Sequence, residues 1–166
     1  MSLTTRVCNS LFSETTVAAQ LNRYMTEIKP RLLLAGYREA GKDGDILAWY
    51  RRLKVDHVLC VASEFVPPTA DGLSVKHIPL DDDNPREDIT RVLVPAVAYV
   101  EKSLSTGGTI LVHCRDGASR AVCVILAVLI KHYDYSLIDA YHYVSHRRKQ
   151  INIFPQYLDQ LQRWAQ

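Results

Sequence analysis

The chain has 166 residues, 48% of them apolar, with 20 lysines and arginines against 18 aspartates and glutamates. That composition suits one compact domain with an ordinary core and excludes a disordered chain. A net charge of +2 gives no argument for nucleic acid or an anionic membrane as the main partner.

Along the chain, the first dozen residues are polar. Beyond Ser13, a plausible N-cap, the apolar positions Val17, Leu21, Tyr24 and Ile28 recur at helical spacing, and Pro30 closes that helix. Arg31 to Ala35 reads as a strand ended by Gly36. After the turn residues of Gly41 to Gly44, the positions Ile46, Trp49, Tyr50 and Leu53 share one helical face. His57 to Ala62 is apolar and β-branched enough to lie inside a sheet. Pro67, Pro68, Asp71 and Gly72 mark a loop, and Ser74 to Leu80 is the next strand.

Asp81, Asp82 and Asp83 open an acidic loop that runs to Asp88. Leu93, Val97, Val100 and Leu104 predict a helix, in which Pro95 is tolerable within the first turn or at a kink. Thr109 to Val112 is a strand. It is followed by the segment HCRDGASR and by the apolar run Ala121 to Ile130, a buried helix about half as long as the ~20 residues a membrane span needs. Ser136 caps another helix, and Tyr157, Leu161 and Trp164 mark the last. Strands alternating with helices predict an α/β fold: a twisted, mainly parallel sheet of about five strands flanked by helices. Ligand loops of such sheets sit at the carboxyl ends of the strands, where His113 to Arg120 falls.

That segment is where the chemistry concentrates. Between a buried strand and a helix start the backbone turns sharply, and Gly117 removes the Cβ that would obstruct the turn. Successive N–H groups then face one concavity, a nest for a tetrahedral oxyanion. Arg120 can bring its guanidinium to the same place and bind two oxygens. Cys114 lies at the mouth, where the converging dipoles and the arginine favour its thiolate, the nucleophilic form.

The motif H-C-x5-R, ending in Gly117-Ala118-Ser119-Arg120, resembles the signature of the protein tyrosine phosphatase superfamily, and of its dual-specificity branch in particular. RLLLAGYREA, KVDHVLCVAS, SVKHIPLDDDN and YLDQL resemble further segments of that family, from about Ile28 to Trp164. The resemblance implies a catalytic domain over residues 28–166; residues 1–27 lie outside it, an N-terminal extension whose apolar spacing predicts a helix. It implies a protein phosphatase acting on phosphotyrosine and on phosphoserine or phosphothreonine, with no cofactor and no metal.

In the implied mechanism Cys114 attacks phosphorus. Arg115, Asp116, Gly117, Ala118, Ser119 and Arg120 hold the phosphate, His113 supports the loop, and an aspartate protonates the leaving oxygen. Counting back from Cys114 favours Asp83 as that acid; counting forward from Ile78-Pro79 favours Asp82. Two departures stand out. Ala121 follows Arg120 where most relatives carry a hydroxyl, which implies slow breakdown of the phosphoenzyme. Asp116 places an acid inside the loop and disfavours polyanionic substrates.

The alternatives are a phosphoinositide or RNA-end phosphatase on the same fold, and a phosphate-binding adaptor with little turnover. The expected partner is a phosphoprotein, with no nucleic acid, no membrane span and a monomeric state. Cys8, Cys60, Cys114 and Cys123 form no C-x-x-C pair and fit no zinc module, so free thiols in a reducing, cytoplasmic or nuclear setting are expected. Cys60 and Cys123 read as core residues. His57, His77, His132, His142 and His146 show no metal-ligand spacing, and His146 to Lys149 reads as a solvated helix end.

Overall fold

The computed structural model describes residues 25–40 and 45–166. Five strands, β1 Met25–Lys29, β2 Leu32–Gly36, β3 His57–Ala62, β4 Ser74–Leu80 and β5 Ile110–Cys114, form one sheet in the order β1-β2-β5-β3-β4. Only β1 runs antiparallel to its neighbour; the other pairings are parallel. The helices are α1 Tyr37–Ala40, α2 Ile46–Arg52, α3 Thr90–Ser105, α4 Arg120–Tyr133, α5 Leu137–Arg147 and α6 Pro155–Trp164.

Strand alternation sorts the core into two layers. Leu32, Leu34, Ile110 and Val112 face the side covered by α3 to α6, while Leu33, Ala35, Val58 and Leu111 face Trp49, Tyr50 and Leu53 of the α2 segment. α4 is buried on every side from Arg120 to Ile130, which is why its sequence lacks a polar stripe. α2 and α5 begin on side-chain caps: Asp45 accepts from the Ala48 N–H and Ser136 from the Asp139 N–H. Pro95 is the sixth residue of α3, past its first turn, and the helix continues through it to Ser105. No described helix is long and apolar enough to cross a membrane.

One element departs from expectation. The helix predicted through Ile28 is a strand over Met25–Lys29, and Val17, Leu21 and Tyr24 lie outside the described residues. Ile28 is buried as the helical pattern required, but as the bulged residue of β1, with its side chain packed into the core layer beneath the sheet. The chain reverses at Pro30 and Arg31, with Arg31 at φ 68° and its N–H donating to Glu27 Oε1 at 3.1 Å. One buried residue satisfies either period, so tertiary pairing decided between them.

β5 ends at Cys114 in the middle of the sheet, flanked by β2 and β3. The parallel order places the carboxyl ends of β2, β3, β4 and β5 together, so the segments after Gly36, Ala62, Leu80 and Cys114 share one edge.

Candidate active site

The loop between β5 and α4 is held from outside by its carbonyls. Arg115 O accepts from the Arg38 N–H at 3.0 Å and Ala118 O from the Asn152 N–H at 2.8 Å. Arg148 donates from Nε to Gly117 O at 2.6 Å and from Nη2 to Asp116 O at 3.2 Å. A trans peptide points its N–H opposite to its C=O. Four successive carbonyls tied outward therefore turn the following N–H groups toward the loop's interior. The Gly117 N–H meets Cys114 Sγ there at 3.2 Å.

Two glycines permit this packing. Gly117 sits at φ 62°, and a Cβ there would lie 2.6 Å from the Ala35 carbonyl; a Cβ on Gly36 would lie 2.5 Å from the Asp116 backbone.

Cys114, Arg115, Asp116, Ala118, Ser119 and Arg120 line a cavity of about 150 Å³ together with Asp82, Asn152 and Phe154. Arg120 is 3% exposed and grips Glu64 through Nη1 and Nη2 at 2.6 and 2.7 Å. Its Nη1 also donates to Leu80 O. Nε has no aligned acceptor, although Asp82 Oδ2 lies 2.8 Å away. Burial works against the guanidinium charge, but the bonds to Glu64 and the charge of Asp82 outweigh it and keep Arg120 protonated. The same pairing holds the Glu64 carboxyl down at about 2.

Asp82 and Asp83 part company here. Asp82 reaches the Cys114 cavity, with Oδ1 accepting from the Tyr157 hydroxyl at 3.0 Å. Burial pushes its pKa up, against the opposing pull of Arg120 and of the Tyr157 bond. Asp83 is exposed and does not line the Cys114 cavity; it lines an adjoining one of about 160 Å³ that shares Asp82, Arg115 and Arg120 with it.

His113 is fully buried against Tyr37, Trp49, Tyr50 and Phe65, with Nε2 2.8 Å from the Tyr50 hydroxyl. Burial pushes its pKa down to about 4, so the ring is neutral. His113 lies in β5 next to Cys114 and lines neither of the two cavities.

Asp116 is partly buried, which works against its charge, but Arg115 at 2.9 Å and Arg38 at 3.4 Å keep it ionised. Its negative charge is therefore compensated within the rim. Cys60 and Cys123 lie in the core, where burial raises the first thiol to about 12 and the second well above its usual value. Cys8 lies outside the described residues. Among the described residues no group of three or more His, Cys, Asp or Glu side chains could hold a metal ion.

Sequence reasoning missed three participants. Glu64 follows β3, and an acid at the carboxyl end of a parallel strand was the available signal. Tyr157 marks the last helix in the sequence, with nothing to tie it to the site. Arg148 corrects an expectation: the run from His146 was taken as solvated, yet Arg148 is 2% exposed and clamps the loop. Its neighbours Arg147 and Lys149 are exposed, as expected. Nothing local distinguishes the middle arginine; only its direction off the end of α5 does.

Residues 40–166 match the family model described as the dual specificity phosphatase catalytic domain. The chain is 31% identical over 152 residues to serine/threonine/tyrosine-interacting protein A of Xenopus laevis, covering 89% of this chain and 67% of that one. It thus spans about two thirds of that relative's length. It is 30% identical to human dual specificity phosphatase 28, covering 86% and 78%. Among solved structures, human DUSP28 superposes with a TM-score of 0.74 at 29% identity, covering 85% of this chain and 92% of that one. Human tyrosine phosphatase-like serine/threonine/tyrosine-interacting protein gives 0.74 at 29%, covering 86% and 95%. The five-stranded, mostly parallel sheet is that of these phosphatase folds, and the chain belongs to the dual-specificity phosphatase family.

Proposed function

We propose that this protein is a phosphatase that hydrolyses phosphotyrosine and phosphoserine or phosphothreonine on proteins through a cysteinyl-phosphate intermediate. The observation that carries the reading is Cys114 Sγ under an inward-turned N–H, in a cavity whose wall is a buried arginine. The intact nucleophile and arginine favour turnover over passive binding of phosphate.

The Cys114 thiolate attacks phosphorus, an S–P bond forms and the P–O bond to the substrate breaks. Loop N–H groups and Arg120 hold the remaining phosphate oxygens, stabilising their charge as the bond order shifts. Arg120 Nε, whose ion pair with Asp82 Oδ2 is not aligned as a hydrogen bond, is the guanidinium position at which a phosphate oxygen competes. An oxygen there displaces Asp82 Oδ2, while Glu64 keeps the guanidinium plane in place.

Asp82 then donates a proton to the leaving oxygen. We assign this role to Asp82 over Asp83 because it shares the cavity with Cys114, and because its burial favours the protonated form an acid needs. In the second half, the Asp82 carboxylate takes a proton from water, water attacks phosphorus, and the S–P bond breaks to restore the thiolate.

The test is hydrolysis of phosphotyrosine and phosphothreonine peptides beside phosphoinositides and RNA 5′-triphosphate. Turnover of both peptides, lost in Cys114→Ser, is expected. Preference for phosphoinositide or RNA ends would replace the protein-substrate reading. Phosphate binding with no turnover of any substrate would make the chain an adaptor.

A further inference from the structure

Tyr157 takes no part in the phosphate cradle, yet its hydroxyl touches the acid. Its ring is 0% exposed and stacks on Phe154 with centroids 5.8 Å apart. The hydroxyl donates to Asp82 Oδ1 at 3.0 Å and reaches Asp81 O at 3.5 Å. One turn further along α6, Gln160 donates to Glu87 O and accepts from the Ile89 N–H, both at 2.9 Å. Residues three apart share a helix face. One face of α6 therefore grips the acid loop at both ends, Tyr157 at its start and Gln160 at its finish.

The two oxygens of Asp82 are held differently. Oδ2 lies against Arg120 Nε, a contact that a bound phosphate competes for. Oδ1 is held by Tyr157, which no substrate displaces. We propose that Tyr157 is a positioning residue for proton donation: it anchors Oδ1 so that Oδ2, once released from Arg120, stays beside the leaving oxygen. This rests on the reading of Asp82 as the general acid.

Many charged and titratable groups surround Asp82. Arg115, Asp116, Cys114 and Arg120 come from the loop and the start of α4, and Cys123 from α4 itself. Glu64 comes from the segment after β3, and Asp81 and Asp83 are its own neighbours. Tyr157→Phe leaves all of them and removes one hydrogen bond to the ionised carboxylate. That bond pulls against protonation, so its loss favours the protonated acid up to higher pH.

The experiment measures kcat and kcat/KM against pH for the parent, Tyr157→Phe, Asp82→Asn and the double variant. Phenyl phosphate has a poor leaving group and nitrophenyl phosphate a good one. Tyr157→Phe should lower kcat/KM on phenyl phosphate, which reports the step that breaks the P–O bond, about tenfold, the value of one hydrogen bond. The loss on nitrophenyl phosphate should be smaller. The basic limb should move to higher pH, and Tyr157→Phe should add nothing in the Asp82→Asn background. A ¹³C carboxyl titration of Asp82 should show the same upward move without turnover.

Equal losses on both substrates with an unmoved basic limb and an unmoved carboxyl titration would reduce Tyr157 to structural support and overturn the proposal. So would an undiminished loss in the Asp82→Asn background. If Asp82→Asn itself keeps the parent rate on phenyl phosphate and the basic limb, the acid assignment fails first and takes the Tyr157 role with it.

Discussion

In the proposed mechanism three positions decide the chemistry. Cys114, Arg120 and Asp82 meet in one cavity although Asp82 comes from a different strand end. Asp82→Asn should lower kcat/KM on phenyl phosphate by about 10²- to 10⁴-fold, the usual worth of general acid catalysis, while Asp83→Asn stays within about twofold of the parent. Equal losses in both would return the role to the loop as a whole. Ala121 is fully buried at the start of α4, next to Arg120. It offers no hydroxyl to the departing thiolate, so phosphoenzyme breakdown should limit turnover. Rapid mixing should show a burst. Ala121→Ser should raise the steady rate about threefold or more, on the order of one hydrogen bond to a charged group, and an unchanged or lower rate would remove Ala121 from the explanation.

At the scale of elements, the cradle is a loop whose shape is imposed by its neighbours. β2 contributes the bare backbone at Gly36, the residue after α5 contributes Arg148, and the segment before α6 contributes the Asn152 N–H. Arg148→Met should strand the carbonyls of Asp116 and Gly117 without partners. The expected cost is about 2–6 kcal/mol, read as a lowered denaturation midpoint, because each of the two buried unpaired acceptors costs about 1–3 kcal/mol. Vanadate or tungstate affinity should fall more than this instability accounts for at a temperature where the variant stays folded. Unchanged oxyanion affinity would show that the loop keeps its own shape.

Across the whole molecule, His113 and Glu64 make acid the destabilising direction. His113 is neutral when folded, with its pKa moved from an ordinary 6.5 to about 4. Between those values the unfolded chain binds a proton that the folded one refuses, so stability is complete above pH 6.5 and falls as pH drops toward 4. The full effect is on the order of 3 kcal/mol. Glu64, moved from 4.5 to about 2, adds a contribution that is present above the first value and lost as pH falls through the second. Urea midpoints from pH 7.5 down to 4 should decline, and His113→Asn should flatten the part above pH 5. A parent midpoint independent of pH over this span would mean that His113 titrates in the folded core.

Local pattern was enough for much of this. The residues of β3, β4, α2, α4 and α6 announce themselves because burial at a fixed period leaves a trace in any sequence that folds this way. Cys114, Gly117 and Arg120 were equally legible, since a turn, a nest and a nucleophile confined to eight consecutive residues need no distant information. Ile28, Asp82, Glu64, Tyr157 and Arg148 were not. Ile28 is buried in a strand because β2 lies beside it, and Arg148 is buried because a loop thirty residues earlier offers two carbonyls. The choice between Asp82 and Asp83 turns on which neighbour's side chain points toward Tyr157 and Arg120, a direction set by the loop's path. Sequence by itself determined the fold class and the nucleophilic loop, because both are written in short-range spacing. Only tertiary structure decided which carboxylate meets the sulfur and what holds it there, because those contacts join residues from separate strand ends and helices whose partners no spacing encodes.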